Sequence, residues 1–348
     1  MMERFIRRAR QLLRLAAMDP VEALIKIRSD FAELPERRRP RFHKAPYKAT
    51  GDWEQLLHAI LGAPWPCPAT AEFWDLWPEV LAPFVAKGIH IGRGAFGGWG
   101  GGEPGLTRAA WCLVRHLKPA KVVETGVARG FTSRIILEAL ERNGAGHLWS
   151  IDLPPPLHPE LHAQIGQAVG DRARHRWTYV KGSSRRRLSR LLAETGQIDL
   201  FVHDSAHTED NVRFEIDNAW VKLAPGGAII VDDIDYNWGF HAFMQASPDQ
   251  QFLICHGEPL EPDPTRFDAK GLFGIARKGT NVLRFEPEDA IDHEHNSLVA
   301  SVAQSVLGNS LKVDENAFRR SESERNRRLE ELRTAIEKYR AEHRDEHD

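Results

Sequence analysis

Apolar residues along this chain recur at two alternating periods. In Leu106–Leu117 and Thr132–Asn143 they fall three and four residues apart, the spacing of a helix with one buried side. Shorter runs lie between and after these stretches: Lys121–Glu124, His147–Asp152, Trp177–Lys181, Leu200–His203, Ala228–Val231 and Leu272–Ala276. Such runs have the length of strands, and helical stretches separate several of them. The alternation predicts βαβ units and an α/β fold built on a doubly wound, mostly parallel sheet. Too little helix separates the last two runs to fix their direction.

Ahead of this region, Phe5, Ile6, Ala9, Leu12, Leu13 and Ala16 recur at helical spacing, with Arg4, Arg7, Arg8, Arg10 and Arg14 between them. Asp19-Pro20 reads as a break, with Asp19 capping a second helix that starts at Pro20. The first helix is expected to pack its apolar side on the main domain; the alternative is peripheral contact with an anionic membrane surface. Trp53–His90 reads as short helices covering the core, and the glycines of Gly92–Gly105 read as a loop or lid. Beyond Pro287, Ser321–Glu324 forms a capping box ahead of a charged helical or frayed tail. The expected organisation is a helical extension over 1–90, a main domain over 91–288 and the tail over 289–348.

Composition narrows the classes. The 348 residues are 42% hydrophobic, 28% charged and 9% aromatic, with a mean hydropathy of −0.44, values of a globular chain rather than a disordered one. No apolar run approaches the ~18–20 residues that cross a bilayer, and the Arg-rich start lacks the apolar core and cleavage site of a secretory signal. Cys67, Cys112 and Cys255 are scattered, which excludes a disulfide scaffold and fits a reducing, cytoplasmic compartment. With 47 basic against 49 acidic residues, the balance argues against a dedicated nucleic-acid partner. The arginine clusters at 172–176 and 185–187 read as solvated faces. Homo-oligomerisation stays open.

Candidate chemistry begins where the first strand ends. Glu124-Thr125-Gly126 and Gly130 lie between that strand and the next helix, and glycines there let backbone approach a ligand. The Gly-x-x-x-Gly spacing lacks the middle glycine of a dinucleotide fingerprint. Asp152 ends the second strand, where a nucleoside binder grips ribose hydroxyls. Ser183 and Ser184 follow the third. Asp204 and His207 follow the fourth, and Asp232 and Asp233 the next. Ends of neighbouring parallel strands share one sheet edge, so these carboxylates should be close together. Their repulsion calls for a cation or a proton, and oxygen ligands favour Mg²⁺, Ca²⁺ or Mn²⁺.

In this order of motifs, the chain from about Glu103 to Ala276 resembles the class I S-adenosylmethionine-dependent methyltransferases. It is most similar to the bacterial group related to catechol and caffeoyl-CoA O-methyltransferases and to cephalosporin hydroxylase/methyltransferase-like proteins. The resemblance implies a seven-stranded Rossmann-like sheet and S-adenosyl-L-methionine as cofactor. It sets Glu124, Gly126 and Gly130 beside the methionine part, with Thr125, Thr132 and Asp204 as further cofactor-side candidates. It also sets Asp152 on the ribose and Ser183 and Ser184 beside the adenine, and has Glu103–Leu106 close over the cofactor. It implies Asp204, Asp232 and Asp233 as ligands of Mg²⁺ or another divalent cation. This chain has Asp-Asp where the relatives carry Asp-Asn. His207 stands where relatives place a lysine or histidine base; Asn237, Trp238 and His241 are substrate-side candidates. The implied reaction is methyl transfer to a hydroxyl of a small molecule or glycan. Rival readings are a metal-independent N- or RNA methyltransferase and a non-catalytic cofactor-binding assembly module.

Overall fold

Asp19 separates α1 (Met2–Met18) from α2 (Pro20–Ala32) in the computed structural model. Its carboxylate accepts from the N–H groups of Val21 (3.1 Å) and Glu22 (3.2 Å), and Pro20 in the first turn has no N–H to satisfy. The short α3 (Leu34–Arg38) follows. The structure describes residues 2–38, 47–97, 100–258 and 271–279, with Arg327 and Thr334. Apart from those two residues the expected tail, with its capping box, lies outside the described residues, as do Gly98 and Trp99 of the glycine loop.

Residues 1–49 and 91–282 form one compact unit, and Thr50–His90 falls in a second. The sequence reading kept 1–90 together; here α1–α3 group with the sheet instead. The second unit holds α4 (Trp53–Leu61) and α5 (Pro68–Val85), the latter longer than the short helices expected. Phe73 stacks on Trp77 at 5.7 Å, and the Thr70 hydroxyl donates to Glu54 at 2.7 Å.

The main unit continues with α6 (Pro104–Leu117), β1 (Lys121–Thr125), α7 (Phe131–Asn143), β2 (His147–Asp152) and β3 (Trp177–Lys181). Then come α8 (Ser184–Thr195), β4 (Ile198–His203), α9 (Glu209–Lys222), β5 (Leu223–Val231), α10 (Gly239–Ala246), β6 (Gln251–His256) and β7 (Leu272–Arg277). The seven strands lie in the order β3-β2-β1-β4-β5-β7-β6. The first five are parallel, and β7 runs antiparallel between β5 and β6. This is the doubly wound, mostly parallel sheet expected. Its central strands are apolar on both faces, as burial on both sides demands: Val122, Val123, Leu200, Phe201, Ile229 and Ile230 are all buried. Val123, Phe201 and Ile229 share a core with Leu188 of α8 and Val212 and Ile216 of α9. The parallel strands present their carboxyl ends at one edge, where ligands of such sheets bind.

Candidate functional site

Two sheet corners meet at Asp152. Its Oδ2 accepts from the N–H groups of Val127 (3.0 Å) and Ala128 (2.8 Å), tying the end of β2 to the turn after β1. Burial raises the carboxyl above its ordinary value, although these backbone donors pull it down. Gly126 has φ +85°, and a Cβ there would run into the backbone carbonyl of Asp204. The glycine thus lets the β1 turn and the β4 end touch through backbone alone. Gly130, also at positive φ, lets α7 start against the Cα of Gly166. Thr132 is half-buried in the first turn of α7.

Glu124 and Thr125 point to opposite faces of the sheet, as strand neighbours must. Glu124 is fully buried, and its Oε2 accepts from Ser133 (2.6 Å) and Ser150 (2.7 Å). Its Oε1 has no hydrogen-bond partner among the described residues. Burial pushes this carboxyl up to about 7, with the Asp152 charge adding to the rise. Thr125 instead donates to Glu215 of α9. Glu215 also accepts from Ser205 (2.6 Å) and Asn211 (2.9 Å), and meets His203 Nδ1 at 2.6 Å. Burial alone would raise Glu215, but the His203 charge and the surrounding donors bring it down to about 2.

Ser183 gives both its donors to Glu22 of α2, its N–H at 3.0 Å and its hydroxyl at 2.6 Å. Ser184 turns toward Asn211, with its hydroxyl 3.5 Å from Oδ1. The glycine loop closes on itself through Gly92 N–H to the Gly101 carbonyl (2.8 Å) and buries Phe96 under Arg129.

The acid cluster forms as expected in part. Asp204, His207 and Asp232 each offer a ligand atom, all within 4.8 Å of one another. Burial and the neighbouring Asp232 carboxylate hold Asp204 well above the usual range, and Glu124 and Glu103 contribute. Asp233 joins from the side of His207, with Oδ2 3.7 Å from Nε2; Asp204 Oδ1 stands 3.8 Å from the same nitrogen. Asp233 adopts φ +51°, a left-handed conformation that Asp tolerates better than most residues. Asn237 donates to the His207 carbonyl (3.2 Å), the half-exposed Tyr236 ring lies 6.3 Å from the His207 ring, and Trp238 meets His241 edge-on at 5.0 Å. The sequence reading did not single out Glu22, His203, Glu215 or Tyr236.

A doubly wound sheet with a glycine turn, a strand-end acid and a carboxylate–histidine cluster on one edge defines an α/β protein whose candidate site lies at its strand ends. Residues 123–234, which carry the glycine turn, the strand-end acid and the carboxylate–histidine cluster, match the family model described as a methyltransferase domain. No curated protein matches it in sequence. Similar solved structures include an O-methyltransferase from Bacillus cereus in complex with S-adenosylhomocysteine (14% identity, 65% of this chain and 98% of that chain, TM-score 0.41). Another is the Streptomyces achromogenes O-methyltransferase of tomaymycin synthesis, in complex with S-adenosylmethionine (16%, 60% and 90%, 0.40). A third is an S-adenosylhomocysteine-bound methyltransferase from Podospora anserina (15%, 67% and 99%, 0.37). Among the described residues no helix is long and apolar enough to cross a membrane.

Proposed function

We propose that this chain transfers a methyl group from S-adenosyl-L-methionine to a hydroxyl of a small molecule or glycan, with a divalent cation at its acid cluster. The observation that carries the reading is the gathering of Asp204, His207 and Asp232 within 4.8 Å, directly beside the glycine turn. Methyl transfer from a sulfonium is an in-line displacement, so alignment and exclusion of water are the protein's main tasks. Asp152 would hold the ribose hydroxyls from the corner it already stabilises. The partnerless Oε1 of Glu124 suits a cationic donor group at the end of β1.

The donor set fits a hard cation, because two carboxylates close enough to repel gain from a positive charge between them. Asp204 and Asp232 would hold it, and its chemistry there would be to acidify an acceptor hydroxyl. His207 would take the hydroxyl proton on Nε2, the atom that Asp204 and Asp233 flank. A second reading has His207 as a third ligand, favoured by its place in the same cluster.

Isothermal titration with S-adenosylhomocysteine, with and without Mg²⁺, tests the donor site; turnover of hydroxylated acceptors under a chelator tests the cation. His207→Ala is expected to slow turnover about 100-fold or more with donor affinity nearly unchanged, and full activity in that variant eliminates the base. Asp152→Ala is expected to weaken donor binding by about 10–100-fold, the loss of charge-assisted hydrogen bonds. Asp152→Asn separates this from folding, because its amide oxygen still accepts from Val127 and Ala128. Unchanged affinity in both variants removes the ribose assignment.

A further inference from the structure

The outer face of the N-terminal helix pair belongs to no part of the site described above. Ten large hydrophobic side chains are exposed among the described residues, and seven of them fall on α1 and α2, between Ile6 and Phe31. Leu13 is 71% and Phe31 68% exposed, and Met18, Val21 and Leu24 are each about half exposed. Isolated exposed hydrophobics are ordinary, but a concentration on one pair of packed helices marks an interaction surface.

The charges on these helices are sorted by side. Asp19 and Glu22 turn inward to Arg186, and Glu22 also takes the donors of Ser183. Glu33 is buried, Glu36 accepts the Glu209 N–H at 2.9 Å, and Asp30 pairs with Lys26. Arg10, Arg14 and Arg28 are exposed. Most of these acids therefore serve the fold, while Arg10, Arg28 and the apolar groups face outward; Arg14, also exposed, reaches the Leu157 carbonyl at 3.5 Å. In sequence, the first 18 residues hold five arginines against one glutamate.

We propose that the α1–α2 face seats this protein on an anionic lipid bilayer, its apolar side chains entering the interface and Arg10, Arg14 and Arg28 meeting the headgroups. Basic residues beside an apolar helical stripe bind such interfaces by buried apolar area plus attraction to negative lipid. A second copy of the chain fits less well. Two-fold pairing would bring two copies of the same basic patch together, at a cost in charge repulsion.

Flotation of the full-length protein with phosphatidylcholine vesicles, with or without phosphatidylglycerol, tests this. Binding is expected only with phosphatidylglycerol, and high salt should weaken it. Arg10→Gln with Arg14→Gln is expected to lower the partition coefficient about 30-fold, about 1 kcal/mol for each cation. Phe31→Asp, and separately Leu13→Asp, should reduce it at least about tenfold, with far-UV circular dichroism and melting temperature matching the parent. Because both side chains point outward, the two variants should fold normally; should one not fold, the other and the arginine pair still decide. Absence of binding by the folded parent overturns the proposal, as does binding that ignores all these substitutions. A concentration-dependent dimer that Phe31→Asp dissociates, without vesicle binding, assigns the face to self-association and equally overturns it.

Discussion

Glu215→Ala is expected to destabilise the fold by about 3–5 kcal/mol, the cost of breaking a buried ion pair from one side. Urea denaturation at pH 7 measures it. Glu215 and His203 are both fully buried, 2.6 Å apart, and the same carboxylate takes hydrogen bonds from Thr125, Ser205 and Asn211. Alanine leaves His203 and those donors in the core without their acceptor. The pH dependence has a definite sign. A carboxyl drawn down to about 2 from an ordinary 4.5 contributes stability that is fully present above pH 4.5. That contribution fades as pH falls from 4.5 toward 2. The gap between parent and variant should therefore narrow by about 3 kcal/mol over that interval. A gap below about 1 kcal/mol at pH 7, or one unchanged at acid pH, contradicts a charged pair.

The site's outline was legible because a parallel sheet sends its strand ends to one edge. Acids following apolar runs, such as Asp152, Asp204 and Asp232, therefore had to lie near one another once the strands were recognised. What lay hidden was which residues hold those ends in place. Glu215 looks solvent-facing in a charged helix, yet it sits between Val212, Ile216 and Ala219, all buried positions on the same side of α9. An acid inside an apolar stripe was the available signal. Glu22 carried no such signal, because its partners Ser183 and Arg186 are some 160 residues away in sequence.

The fold shows the same division. Strands β2 and β3 begin and end where their apolar runs do, whereas β5 starts at Leu223, five residues before the apolar run at Ala228 and ahead of the turn-forming Pro225, Gly226 and Gly227. Its register against β4 shifts between Ile198 and Leu200, and the irregularity takes up those residues. β6 was missed although Phe252–Cys255 is an apolar run of strand length. It lies at the sheet edge, paired to β7 in an order that reverses the sequence. The glycine spacing points to a ligand cradle, and in the fold Gly126 and Gly130 also serve the protein's own packing, against Asp204 and Gly166.

Glu124→Gln should remove a pH dependence of opposite sign. Burial raises this carboxyl from 4.5 to about 7, so the folded state holds a proton that the unfolded chain has already released. Stability contributed at low pH is then lost as pH climbs from 4.5 to about 7, and is level above that. The shift corresponds to about 3 kcal/mol at most. Glutamine cannot ionise, while Asp152 and Asp204 titrate alike in parent and variant and cancel from the difference. The stability gap between the two should therefore change across that interval by the amount Glu124 contributes, whatever the variant's absolute offset. That offset reflects the amide N–H₂, which lands where Oε1 now has no partner and costs about 1–3 kcal/mol if nothing accepts from it. Donor binding supplies a second readout. If a cationic group of the cofactor meets Oε1, the variant should bind S-adenosylhomocysteine about tenfold more weakly or worse, and stabilisation of the parent by ligand should grow as Glu124 ionises. Equal affinity in parent and variant at pH 8 would detach Glu124 from the cofactor and leave it a purely structural acid, held by Ser133 and Ser150.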